Sequence, residues 1–161
     1  MGVKQAVFGP GTLVSKSGLA VPATTTSTLF TVTGGAVLVT ALLGRVTTAV
    51  GATVTTLSLG TGLGGTASLA TAVAITSKGA GTWLFPIGNA GVAGALQVLG
   101  PSQAFLGGTN LPNAPEWPQS IGAPFLLAPD TITWTTSATP GGGVVTWYLS
   151  YIPIDTAVAV S

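Results

Sequence analysis

Residues 29–50 read LFTVTGGAVLVTALLGRVTTAV. Phe30 and Val32 alternate with Thr31 and Thr33, the period-2 signal of a strand with one buried face. Gly34-Gly35 follows and supplies the positive φ that a tight turn demands. Ala36 to Leu43 is then apolar on both faces, as an inner strand would be. A transmembrane helix needs about 20 predominantly apolar residues. The stretch from Leu29 to Gly44 is shorter, is broken by the glycine pair and is rich in β-branched residues, so it reads as two adjoining buried strands.

The β pattern continues on both sides of this stretch. Val46 to Val50 and Thr53 to Leu59 are β-rich. Leu69, Thr71, Val73 and Ile75 alternate with Ser68, Ala70, Ala72 and Ala74, giving one large face and one small face that a second layer can approach closely. Residues 67–76 offer the one case for a helix, and their alternation favours a strand. Trp83 to Ile87 predicts a short strand ending near Pro86. Towards the C-terminus Ile132, Trp134 and Thr136 share one face. The turn Thr139-Pro140-Gly141-Gly142-Gly143 leads to a return strand with Val145, Trp147, Leu149 and Tyr151 on one face. These segments predict a hairpin in which Trp134 makes cross-strand aromatic pairs, and Ala157 to Val160 a short closing strand. The expected fold is all-β, a single-domain sandwich or jelly roll of eight to ten short strands.

Two segments fall outside this pattern. Residues 1–27 hold Lys4 and Lys16, two proline breaks (Pro10, Pro22) and the tract Ala23-Thr24-Thr25-Thr26-Ser27. They predict an extended arm, loose or lying on a neighbouring subunit, ahead of a β domain spanning 28–161. Within that domain, residues 100–129 contain Pro101, Pro112, Pro115, Pro118, Pro124 and Pro129, and proline is excluded from central strands. A loop this long inside a compact domain tends to be functional or disordered. Its apolar residues, Phe105, Leu111, Trp117, Phe125, Leu126 and Leu127, argue for an ordered excursion packed against something.

Composition removes whole classes of chemistry. The 161 residues include four Lys or Arg and three Asp or Glu, 4% charged, where an ordinary domain carries roughly 25%. There is no His and no Cys, hence no imidazole or thiolate metal site, no Cys nucleophile, no Ser-His pair and no disulfide. Four cations and a net charge of +1 do not line a nucleic-acid groove. No cofactor is expected, and no enzyme. Apolar residues make up 47%, the reverse of the disorder signature. A folded chain with so few surface charges tends to associate, which predicts a subunit of an assembly. The N-terminus lacks the sustained apolar run of a secretory signal, and Ala6 stands where a myristoylation signal wants Ser or Thr.

Gly60-Thr61-Gly62-Leu63-Gly64-Gly65 satisfies G-x-G-x-x-G, but a dinucleotide site needs a helix after it and an acidic residue about 20 positions on. The first acidic residue is Glu116, so a loop between strands is expected. Thr31/Thr33 and Thr131/Thr133/Thr135 have the spacing of ice-binding ladders without the fixed repeat of a solenoid. Arg45 is read either as an intersubunit partner for Asp130, Asp155 or a foreign carboxylate, or as a strand-end residue facing water. Asp130 and Asp155, beside Pro129 and Pro153, fit turn chemistry. Trp83, Trp134 and Trp147 are expected in the core. Trp117 either pins its own loop or anchors a partner.

LFTVTGGAVLVTALLGRVTTAV (Leu29 to Val50) and VVTWYLSYIPIDTAVAV (Val144 to Val160), the latter an aromatic strand leading into Tyr-x-Pro-x-Asp, resemble a family of small structural proteins encoded among the head genes of tailed bacteriophages. The basic arm and the proline-rich segment depart from that family's pattern. The resemblance implies a virion protein without catalytic residues. With the composition it leads to the expectation of a capsid decoration (cement) protein, made in the host cytoplasm and placed on the capsid surface. Its expected partners are itself, as a homotrimer, and the phage major capsid protein, with no nucleic acid and no membrane. Candidate interface residues are Lys4, Lys16, Arg45, Phe105, Trp117 and Phe125. The alternative is a phage tail or head-fibre component, with host-glycan binding through Trp117, Glu116, Gln119 and Asn113. A hydrolase would need Asp130 and Asp155 together in a cleft.

Overall fold

The structure is a computed structural model, and it describes residues 11–86, 94–100 and 124–161. Among them are eleven β-strands and no helix. In chain order they are β1 (Thr12–Ala20), β2 (Thr26–Thr33), β3 (Val37–Thr48), β4 (Thr56–Thr61), β5 (Gly65–Ala74) and β6 (Trp83–Pro86). Then follow β7 (Gly94–Leu99), β8 (Phe125–Leu127), β9 (Thr131–Thr136), β10 (Val144–Pro153) and β11 (Ala159–Val160). The count exceeds the eight to ten expected, because β1 lies in the segment expected to be an arm and β8 in the proline-rich segment, while β11 falls within the closing strand expected over 157–160. Of the 67–76 stretch, residues 67–74 are indeed strand, within β5.

The strands form two antiparallel layers of a β-sandwich. The first layer runs β1-β10-β3-β6-β7, with β8 beside β6 along the same flank of β3, and the second runs β5-β4-β9-β2-β11. A short parallel pairing, Ala70 with Gly94 and Thr71 with Ala95, ties β5 to β7 and closes one flank. The opposite flank lies open between β1 and the β2-β11 edge. The core between the layers is built from the alternating positions read in the sequence: Phe30 and Val32 from β2, Leu57 and Leu59 from β4, Ile132 and Trp134 from β9, and Val145, Trp147 and Leu149 from β10, all buried.

Two expectations are corrected by this topology. β9 and β10 are not a hairpin. β9 pairs with β2 and β4, β10 with β1 and β3, so residues 137–143 carry the chain from one layer to the other. Trp134 and Trp147 accordingly meet across the sandwich, edge to face, with ring centroids 5.8 Å apart and an interplanar angle of 86°. The Gly34-Gly35 link behaves alike: Gly34 takes a positive φ of 78°, but the strands it joins belong to opposite layers.

The second correction concerns the arm. Residues 12–20 pair along β10 of their own chain, from Thr12 opposite Tyr151 to Ala20 opposite Val144. The inward positions are Val14, Lys16 and Leu19, a spacing that breaks strict alternation. A register shift between Lys16 and Leu19, with Gly18 at φ 70°, is the device that returns Leu19 to the core side. Residues 1–10 lie outside the described residues.

A similar shift explains why residues 36–43 are apolar on both faces. Between Ser150 and Tyr151 of β10 the register on β3 skips Thr40. Val37, Val39, Leu42 and Val46 stay in the core, while Ala41 and Leu43 are buried on the outer face of the layer, outside the core cluster. Gly44 is required by close approach. It lies opposite Trp147, and a Cβ there would stand 3.0 Å from three atoms of the indole ring.

Replacing Gly44 with Ala is therefore expected to cost about 1–3 kcal/mol through overpacking, and Trp134→Ala about 3–5 kcal/mol through the cavity it leaves. Urea denaturation read by fluorescence checks both, with a lower midpoint at unchanged slope as the expected result.

Candidate interaction surfaces

Three of the six candidate interface residues, Lys16, Arg45 and Phe125, fall within the described residues. Lys4, Phe105 and Trp117 lie outside them, as do Glu116, Gln119 and Asn113.

Lys16 is opposite Trp147 in the β1–β10 register, and residues directly opposite share a face, so it points inwards from the edge strand. Its Nζ lies 5.8 Å from the centroid of Phe30 on β2. The cation thus spans the open flank of the sandwich, its alkyl stem against apolar surface and its charge over an aromatic face. This is a structural placement, and inward-pointing charge on an edge strand also opposes pairing with a foreign strand.

Arg45 is exposed on the outer face of the first layer. Its Cζ is 5.8 Å from the Trp83 centroid, a cross-strand pair in the β3–β6 register. Trp83 in turn is 6.3 Å from Tyr148, with ring planes tilted by 35°. Trp83 is therefore not a core residue as expected: it stands half-buried on the outer face, because Leu84 takes the inward position of this short strand. The sequence could not show this, since four residues ending in proline do not declare which parity faces inwards. Phe125, opposite Val39 on β8, is half-buried and packs against the core cluster, so the described end of the proline-rich excursion is fastened to the domain.

The two described carboxylates act as backbone acceptors. Asp155 Oδ2 accepts the Ala36 N–H at 2.8 Å, tying the segment after β10 to the link between β2 and β3. Asp130 Oδ1 accepts the Thr131 N–H at 2.7 Å, and its Oδ2 accepts the Leu63 N–H at 3.1 Å, holding the β4–β5 turn. That turn contains the G-x-G-x-x-G match. It joins two antiparallel strands, Thr61 lying opposite Gly65, so the strand–loop–helix geometry of a dinucleotide site is not formed there.

Further polar contacts fasten the loops at the other end. The buried Thr136 hydroxyl donates to Pro22 O at 2.7 Å, and the Thr55 N–H donates to Thr76 Oγ1 at 2.9 Å. Among the described residues no group of three His, Cys, Asp or Glu side chains is placed to hold a metal ion, and no helix is long and apolar enough to cross a membrane. Among the described residues the large apolar side chains left exposed are Leu63, Val54, Leu126 and Ile154. None is among the candidate interface residues read from the sequence: Leu63, Val54 and Ile154 stand in loops, where there is no periodicity to read, and Leu126 on a strand of three residues.

Comparison of the chain with models of known families, with curated proteins and with solved structures finds no match in any of the three.

Two substitutions test these placements. Asp155→Ala is expected to lower stability by about 1 kcal/mol, while Asp155→Asn, which keeps an acceptor, should recover most of it in thermal melts. Lys16→Val should keep the fold yet accelerate aggregation severalfold, seen as turbidity under gentle stirring, since it removes the charge that guards the β1 edge.

Proposed function

We propose that this chain is a non-enzymatic virion structural protein, a decoration protein that oligomerises, as a trimer, and binds the major capsid protein of a tailed phage to reinforce the head. The observation that carries the reading is the strand order. β1-β10-β3-β6 face β2-β9-β4-β5, and along the chain β1 to β4 alternate between the layers, as do β9 and β10. This alternation supports reading the sandwich as a jelly roll, an architecture used by viral capsid domains. The analogy is one of fold, and the surface supports it independently.

Many exposed strand positions are small and uncharged, among them Ser15 and Ser17 on β1 and Ser68, Thr71, Ala72 and Ala74 on β5. Such a surface loses little in desolvation when a partner covers it. Lys16, Asp130 and Asp155 are engaged within the chain, which fits a scaffold with no reaction to perform. Binding in many copies to a repeating shell multiplies modest contacts by 10²–10⁴ through avidity, so no single contact has to be strong.

The test uses capsids stripped of accessory proteins. Added protein is expected to co-sediment with them to a saturating stoichiometry and to raise the temperature at which they release DNA. Capsids that neither bind it nor gain resistance would refute the proposal, and binding to tails alone would move it to a tail or fibre component.

A further inference from the structure

The antiparallel registers place every described loop at one of two ends of the sandwich. One end gathers the β2–β3 link, the β4–β5 turn, the segment between β8 and β9 and the segment after β10. The other gathers residues 21–25, 49–55, 75–82 and 137–143. The exposed large apolar side chains of the described residues sort onto these ends. Leu63, 87% exposed, and Ile154, 57% exposed, stand on loops of the first end, and Leu126 lies on β8, which runs into it. Val54, 78% exposed, stands alone at the second end.

Charge sorts the same way. Both described carboxylates, Asp130 and Asp155, belong to the first end, each bonded to a loop N–H. Lys78 belongs to the second, where the Val50 N–H donates to its carbonyl and the neighbouring Ser77 N–H to that of Gly51, bringing the 49–55 and 75–82 loops together. Each end thus carries exposed apolar surface with charge of opposite sign, and each is held rigid by its own hydrogen bonds.

We propose that copies of this chain associate end to end, the Leu63–Ile154 end of one seated on the Val54–Lys78 end of the next. The contact is heterologous, joining two different patches, so it propagates from copy to copy and closes into a ring or continues as a chain according to the rotation between them. Four or five strands spaced about 4.8 Å apart in two layers about 10 Å apart present an end of roughly 20 by 20 Å, so each contact removes on the order of 1,000 Å² from water. That is the lower limit for specific interfaces, and it predicts reversible association that weakens with salt. The inference stands apart from the capsid reading: capsid binding can fail while end-to-end association holds, and the reverse.

The experiment is light scattering on the full chain and on two variants at exposed positions, Leu63→Asp and Val54→Asp, with melting curves confirming that both fold. The wild type should show a mass that rises with concentration to multiples of the protomer. Each variant alone has lost one of the two patches in every copy and should be monomeric, with association weakened about tenfold or more. Mixed in equal amounts, the two variants should form a heterodimer and nothing larger, since only one intact pair of ends remains. Lys78→Glu should weaken association in the same direction. A wild type monomeric at all concentrations, variants that keep the wild-type mass, or a mixture that stays monomeric would each overturn the proposal.

Discussion

The contact between Trp134 and Trp147 is the one on which the rest of the sandwich depends. The two indoles come from β9 and β10, consecutive strands that lie in opposite layers, and they meet edge to face within the core, the arrangement the aromatic quadrupole favours. Their size sets how far apart the layers stand, and Gly44 leaves the room in which the Trp147 ring lies. Trp147 Nε1 is buried with no hydrogen-bond partner among the described residues. An unpaired buried donor costs about 1–3 kcal/mol, and the fold tolerates it because the ring's packing outweighs that cost.

With charge so scarce, four of the five charged side chains among the described residues can be followed to a use. Lys16 bridges the open flank, Arg45 lies over Trp83, and Asp130 and Asp155 hold loops at one end. Threonine and serine supply much of the remaining polar fastening, through pairs such as Thr26 with Thr135 and Thr40 with Ser150. Hydroxyls serve well here, since they both donate and accept and sit on side chains suited to strands.

The class of fold was legible because alternation over Phe30–Thr33, Leu69–Ile75 and Ile132–Thr136 is a local signal, and the roles of Asp130 and Asp155 followed from their place beside prolines in turns. What was not legible is which strand lies beside which. The Thr139–Gly143 segment announces a reversal, and the same residues serve whether the strands then pair in one sheet or face each other across two. That choice is settled by non-local burial: Trp134 and Trp147 are almost fully buried where they meet edge to face between the layers. Residues 12–20 were misread as an arm because Lys16 and Gly18 interrupt the apolar alternation, and the interruption is the register shift itself. Of the candidate interface, Lys16 and Phe125 are half-buried against their own chain, and the exposed Leu63, in a turn, carries no periodic signal.

The edges of the two layers constrain how such a chain can assemble. β11 is two residues long and offers almost no ladder to a foreign strand. β1 is nine residues long, but a charge points inwards from its middle and a bulge twists its second half, both known defences against edge pairing. The far flank is closed by the β5–β7 pairing. Strand addition is thus opposed at the β1 and β11 edges and along the β5–β7 flank, although the composition favours association. What remains are the outer faces and the two ends, where contact is made by side chains rather than by backbone ladders. Contacts of that kind have a defined geometry and can stop at a fixed number of copies, whereas strand addition at an unguarded edge continues without limit. A nearly uncharged chain that must assemble without aggregating needs that difference, and the guarded edges of this sandwich provide it.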